Sequence, residues 1–88
     1  MEVNITEEAR NYVEKKGGAA TVKTKMCGGW SGFSLQPVVE TGEPGDMENY
    51  QKYEDNGTAF YVSKDIKGTK VKVYYRRGLF RGLGVLVN

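Results

Sequence analysis

From residue 19 onward the chain keeps the two-residue period of a β-strand, and this leaves room for one helix only, at the N-terminus. AATVKTKM (19–26) sets Ala20, Val22, Thr24 and Met26 on one face and Lys23 and Lys25 on the other. KVKVYY (70–75) sets Val71, Val73 and Tyr75 opposite Lys70, Lys72 and Tyr74, and LGVLVN (83–88) puts Leu83, Val85 and Val87 together. FSLQPVVE (33–40) and TAFYVS (58–63) are further strands. Pro37 cannot donate a ladder hydrogen bond, so its strand belongs at a sheet edge or a bulge.

The helix is predicted over residues 7–16. Thr6 is its N-cap, Glu7 and Glu8 suit the positive end of the helix dipole, and Lys15 and Lys16 close the last turn before a Gly17-Gly18 stop. Ile5, Ala9, Tyr12 and Val13 form the inward stripe. Asn56-Gly57 and Lys67-Gly68 are turn signals, and GEPGD (42–46) is a turn followed by an acidic surface loop or short irregular element. The expected architecture is α+β and β-rich, with one N-terminal helix on a mixed or antiparallel sheet of five or six short strands. It forms a single domain over residues 1–88.

Composition excludes several function classes. The chain has no histidine and one cysteine, so a Ser/His or Cys/His pair within one chain is ruled out, as is an internal disulfide. An unpaired cysteine fits a reducing cytoplasm. No apolar run approaches the roughly 18 residues of a membrane span, and the acidic start MEVNITEEAR is unlike a signal peptide. Charge is segregated: residues 40–55 carry six acids and one lysine, residues 64–81 seven bases and one acid. The plain reading is that the two segments face each other or solvate opposite faces. The alternative is a basic face over 64–81 that binds nucleic acid or an acidic protein. Tyr50, Tyr53, Tyr61, Tyr74 and Tyr75, interleaved with Lys70, Lys72, Arg76 and Arg77, would then be its stacking platform. RRGLFRGLG (76–84) lacks the spacing of a phosphate loop.

The candidate site is KMCGGWSG (25–32), which holds the only cysteine and the only tryptophan. A turn beginning at Gly28, with the N–H groups of Gly28 and Gly29 forming a nest and Lys23 or Lys25 nearby, would favour the Cys27 thiolate, the form that binds metals and attacks disulfides. The competing reading is a buried, inert cysteine. Strict alternation puts Cys27 on the Lys23/Lys25 face, away from the core. Trp30 is expected to be a large piece of the core, with stacking on a ligand or partner as the alternative.

NITEEARNYVEKKGG (4–18), then a strand, then MCGGWSG (26–32) resembles the opening of HesB-like proteins, the family that includes A-type iron–sulfur cluster carriers. TAFYVSKDIKGTKVKVYYRRGLFRGLGVLVN (58–88) is similar to that family's C-terminal strand region. The resemblance implies a non-enzymatic role in iron–sulfur cluster biogenesis, or in binding metal, sulfur or selenium species, with Cys27 as ligand and Lys25, Gly28, Gly29 and Trp30 around it. The carriers' C-terminal CxC pair has no counterpart in GLFRGLGVLVN. The chain looks closer to a short subgroup with a Cys-Cys or selenocysteine-Cys pair before glycines, and Met26 stands at the first position of that pair. A [2Fe–2S] cluster takes four thiolate or imidazole ligands. Iron or a cluster would therefore be shared with a second subunit in a homodimer or with a partner protein. A second functional class, single-thiol redox chemistry at Cys27, would pass through a mixed disulfide and lacks a resolving cysteine in the chain.

Overall fold

The computed structural model describes residues 1–30, 32–78 and 82–88. Strand β1 (Glu2–Ile5) leads into helix α1 (Glu7–Lys15), followed by β2 (Ala19–Gly29), β3 (Gly32–Thr41), a short 3₁₀ turn (Met47–Asn49), β4 (Tyr50–Asp55), β5 (Thr58–Ser63), β6 (Lys70–Arg76) and β7 (Gly82–Val87). The strands form two sheets, one ordered β1-β6-β7 and one ordered β3-β2-β5-β4. Pairing is mixed: β1 with β6 and β2 with β5 run parallel, the other pairs antiparallel. The architecture is the expected β-rich α+β arrangement, divided between two sheets instead of one.

The helix begins where Thr6 caps it, its side chain accepting from the Ala9 N–H at 3.2 Å. It ends at Gly17 and Gly18, whose φ values of 115° and 84° suit glycine and whose N–H groups return to the Glu14 and Val13 carbonyls. Ala9 and Val13 are fully buried beneath it. Around them close Ala20, Val22, Phe60, Val62, Ile66, Val71, Val73 and Leu83. β5 lies between β2 and β4, so its apolar run TAFYVS is buried along nearly its whole length.

Two strands were not expected. Ile5, read as the start of the helical stripe, ends β1, which pairs with β6 from Glu2↔Lys70 to Ile5↔Val73. Within the acidic loop, Tyr50–Asp55 forms β4, held to β5 by a two-residue Asn56-Gly57 turn with φ of 51° and 86°. β4 is an edge strand whose Gln51, Lys52 and Glu54 are exposed, which is why its pattern does not read as a buried strand. β3 is likewise an edge strand, the position that Pro37 predicts.

Candidate functional site

β2 and β3 pair continuously from Ala20↔Thr41 to Gly29↔Gly32, but the core supports only the first part of that ladder. Ala20, Thr21 and Val22 are buried, whereas every residue from Lys25 to Trp30 except Cys27 is exposed. The second half is therefore a two-stranded ribbon extending past the body. Alternation gives the ribbon two unlike faces. Thr24, Met26 and Gly28 share one with Phe33, Leu35 and Pro37; Lys23, Lys25 and Cys27 share the other with Ser34, Gln36 and Val38.

Cys27 is half-buried on the polar face, directly across from Ser34. Gln36 Nε2 donates to Ser34 Oγ at 3.3 Å beside it, and Lys23 Nζ is held by Glu40 at 3.1 Å further along the same face. Lys25 lies two residues from Cys27 on that face and has no ion-pair partner among the described residues. The thiol is thus neither a core filler nor fully displayed, and its side of the ribbon is the one alternation predicts.

Two expectations are corrected. Gly28 and Gly29 do not open a turn; they continue β2 to its end and pair with Phe33 and Gly32. An extended backbone sends successive N–H groups to opposite edges, so these two glycines form no anion nest around the thiol. Gly28 instead makes room for an aromatic ring: a Cβ there would lie 2.1 Å from Phe33 Cδ1. Trp30 is not a core residue. It is exposed to 108% of its reference area, because the ribbon carries it beyond any surface that could cover it. Ser31 lies outside the described residues.

The proposed stacking platform is also dispersed. Tyr50, Tyr53 and Tyr61 belong to the β3-β2-β5-β4 sheet, with Tyr61 buried, while Tyr74 and Tyr75 belong to the other sheet. Tyr75 stacks at a tilt on Tyr12, with ring centroids 5.2 Å apart. Among the described residues the basic segment does not pair with the acidic one through ion pairs. Lys70 meets Glu2 and Arg77 meets Glu8, both from the N-terminal stretch, and Lys64 reaches back, donating to the Glu48 carbonyl. The contact with Glu8 raises the Arg77 pKa further. Arg81 of that segment lies outside the described residues, as do Leu79 and Phe80.

The fit to a metal or cluster can be judged from this geometry. Among the described residues no three of His, Cys, Asp or Glu come together as a metal site. Met26 and Cys27 are adjacent in an extended strand, so their sulfurs leave opposite faces and do not converge on one ion. The chain by itself supplies one thiolate and does not fit a complete iron–sulfur ligand set. Among the described residues no helix is long and apolar enough to cross a membrane.

The mixed β-rich fold with one capped helix is HesB-like: it superposes on the crystal structure of Escherichia coli SufA, a protein involved in the biosynthesis of iron–sulfur clusters. The match has a TM-score of 0.59 at 17% identity and covers 98% of this chain and 80% of SufA. The chain belongs to the CC/Se motif containing family, whose pattern matches residues 1–85. No curated protein sequence matches it.

Proposed function

We propose that this is a non-enzymatic, cytoplasmic accessory protein of iron–sulfur cluster biogenesis or of metal, sulfur or selenium handling, and that it presents Cys27 as one ligand of a shared site. The observation that carries this reading is the position of Cys27, on the polar face of a ribbon that lies beyond the core. A buried structural cysteine would sit with Val22 and Phe60. The HesB-like fold and the family membership support the same reading.

Within the family the chain is closest to the subgroup whose motif is a Cys-Cys or selenocysteine-Cys pair, with Met26 at the first position. The strand geometry gives that pair a division of labour. Whatever stands at position 26 addresses the apolar face, and Cys27 alone addresses the polar one. Lys25, Gly28, Gly29 and Trp30 frame the thiol along the backbone, and Lys25 supplies a positive charge on its face. The remaining ligands for iron or a cluster come from a partner protein, a second subunit or an added small thiol.

Anaerobic reconstitution with ferrous iron and sulfide, in the presence of a small thiol, tests this. The wild-type protein is expected to develop a visible chromophore that Cys27→Ser abolishes. Equal colour in both proteins, or none in either, would overturn the reading.

A further inference from the structure

The ribbon made by the end of β2 and the start of β3 carries an amphipathic surface away from the core. On its apolar face Met26 is 61% exposed, Phe33 79% and Leu35 66%, and Trp30 follows directly on the last residue of β2. These groups stand on a projection, whereas sites for small apolar molecules are concave. The reverse face holds Lys25, Cys27, Ser34 and Gln36. Charge in this part of the chain has one sign: residues 19–39 include Lys23 and Lys25 and no acid. Lys23 is taken up by Glu40, which leaves Lys25 as the ribbon's free charge among the described residues.

We propose that the ribbon is a membrane-surface anchor, which lays its apolar face and Trp30 into one leaflet of an anionic phospholipid bilayer. The first argument is its two-sidedness. An element lying in the lipid–water boundary is apolar below and polar above, with tryptophan at the boundary and cations at the headgroups. Met26, Phe33 and Leu35 against Lys25, Ser34 and Gln36 meet that pattern. The second is reach. Residues 25–29 of β2 extend about 15 Å at ~3.3 Å each. That exceeds the ~5–10 Å depth of the headgroup–acyl boundary, yet it is too short for the ~9–11 residues of a spanning strand. The third is what the apolar face lacks. Of its side chains only Thr24 can hydrogen-bond, whereas protein interfaces use about one hydrogen bond per 100–200 Å². A fluid acyl layer needs none, and anionic headgroups draw in Lys25.

The depth of insertion is set by the body. At the ribbon's base the apolar face meets a groove between Leu35, Pro37 and Val87, where Asp65 and Lys67 stand. Both are exposed charges that stay in water, so insertion ends there. The anchor goes beyond the ligand role proposed above and does not rest on it. With the apolar face against lipid, the Cys27 thiol points to the aqueous side.

Trp30 is the chain's only tryptophan, so its emission reports the ribbon's end alone. Vesicles of equal parts phosphatidylcholine and phosphatidylglycerol should shift that emission to the blue, and lipid with brominated acyl chains should quench it. Pure phosphatidylcholine vesicles should bind about 5-fold more weakly or worse at low salt, the effect of one lysine near a charged surface. Phe33→Gln and Leu35→Gln should each weaken binding by about 10-fold or more, as for losing one buried apolar side chain. Lys25→Glu should cost about 30-fold on the anionic vesicles alone, one attraction lost and one repulsion gained. All three side chains are exposed, so circular dichroism and the urea midpoint should stay unchanged and confirm folding. Emission unmoved at millimolar lipid would overturn the proposal, as would equal affinity for both vesicle types at low salt or indifference to both glutamines. Emission already blue without lipid, and returning to the red on dilution, would assign the face to a protein contact instead. Leu35→Gln should keep the chromophore of the reconstitution assay and Cys27→Ser should keep vesicle binding, so either reading can fail without the other.

Discussion

The helix is fastened to the central strand by one polar contact whose removal has a calculable cost. Thr58 opens β5 and is fully buried; its hydroxyl donates to Glu14 Oε1 at 3.2 Å, and Glu14 itself sits on the exposed side of α1. The two partners are not equivalent. Glu14→Ala leaves a buried hydroxyl without an acceptor, which costs roughly 1–3 kcal/mol. Alanine is, if anything, the better helix former, so propensity cannot mimic that loss. Thr58→Val keeps the shape of the side chain and removes the donor, while the Glu14 carboxylate returns to water. Its net effect is expected to stay within about 0.5 kcal/mol, as for removal of a polar partner whose shape is kept. In the Thr58→Val background Glu14→Ala should then be nearly neutral. Urea denaturation of the four proteins measures this cycle, and in a chain of this size each kcal/mol moves Tm by roughly 4–8 °C. The reasoning fails if Glu14→Ala alone costs less than about 0.5 kcal/mol, or if it costs the same with and without the Thr58 hydroxyl.

Two other perturbations follow from the geometry. A Cβ on Gly84 would lie 2.4–2.7 Å from the Tyr74 ring across the β6–β7 ladder, so Gly84→Ala should destabilise by about 1–3 kcal/mol, and much less in a Tyr74→Ala background; urea midpoints distinguish the two. The Lys52 pKa is raised above its ordinary 10.5, first by its hydrogen bond to Glu54 and then by that carboxylate's charge. A raised lysine pKa contributes stability below the unfolded value and loses it as pH climbs through the folded one, so this pair should hold unchanged through neutral pH and fade only above about 10.5. NMR titration of the Lys52 Nζ should show the raised value, and Glu54→Gln should bring it back down; an unchanged titration in that variant would refute the assignment.

The basic and aromatic residues after Lys64 show how much pattern alone leaves open. Their one-dimensional order fits a nucleic-acid platform as well as it fits ordinary strand formers. The three-dimensional arrangement sends the tyrosines into two sheets and gives Lys70 and Arg77 carboxylate partners from the N-terminal stretch. Parallel pairing of β1 with β6 joins segments more than 60 residues apart, and such a contact leaves no trace in local periodicity.

What the sequence determined by itself is local. Thr6, Gly17-Gly18 and the alternation of residues 19–26, 70–75 and 83–88 set the helix, its ends and most strands, because caps, φ-permissive glycines and a two-residue period act within a few residues. Alternation also set which face of β2 Cys27 occupies, and the absence of histidine and of further cysteines set the limit on its ligands. Tertiary structure decided the rest. Period two says which residues share a face, but not where the core stops covering it. The core stops just past Val22, and from there β2 and β3 continue alone. That is why Gly28-Gly29 are strand residues, why Trp30 is exposed, and why the apolar side of the ribbon is left open while Cys27 keeps its place on the other.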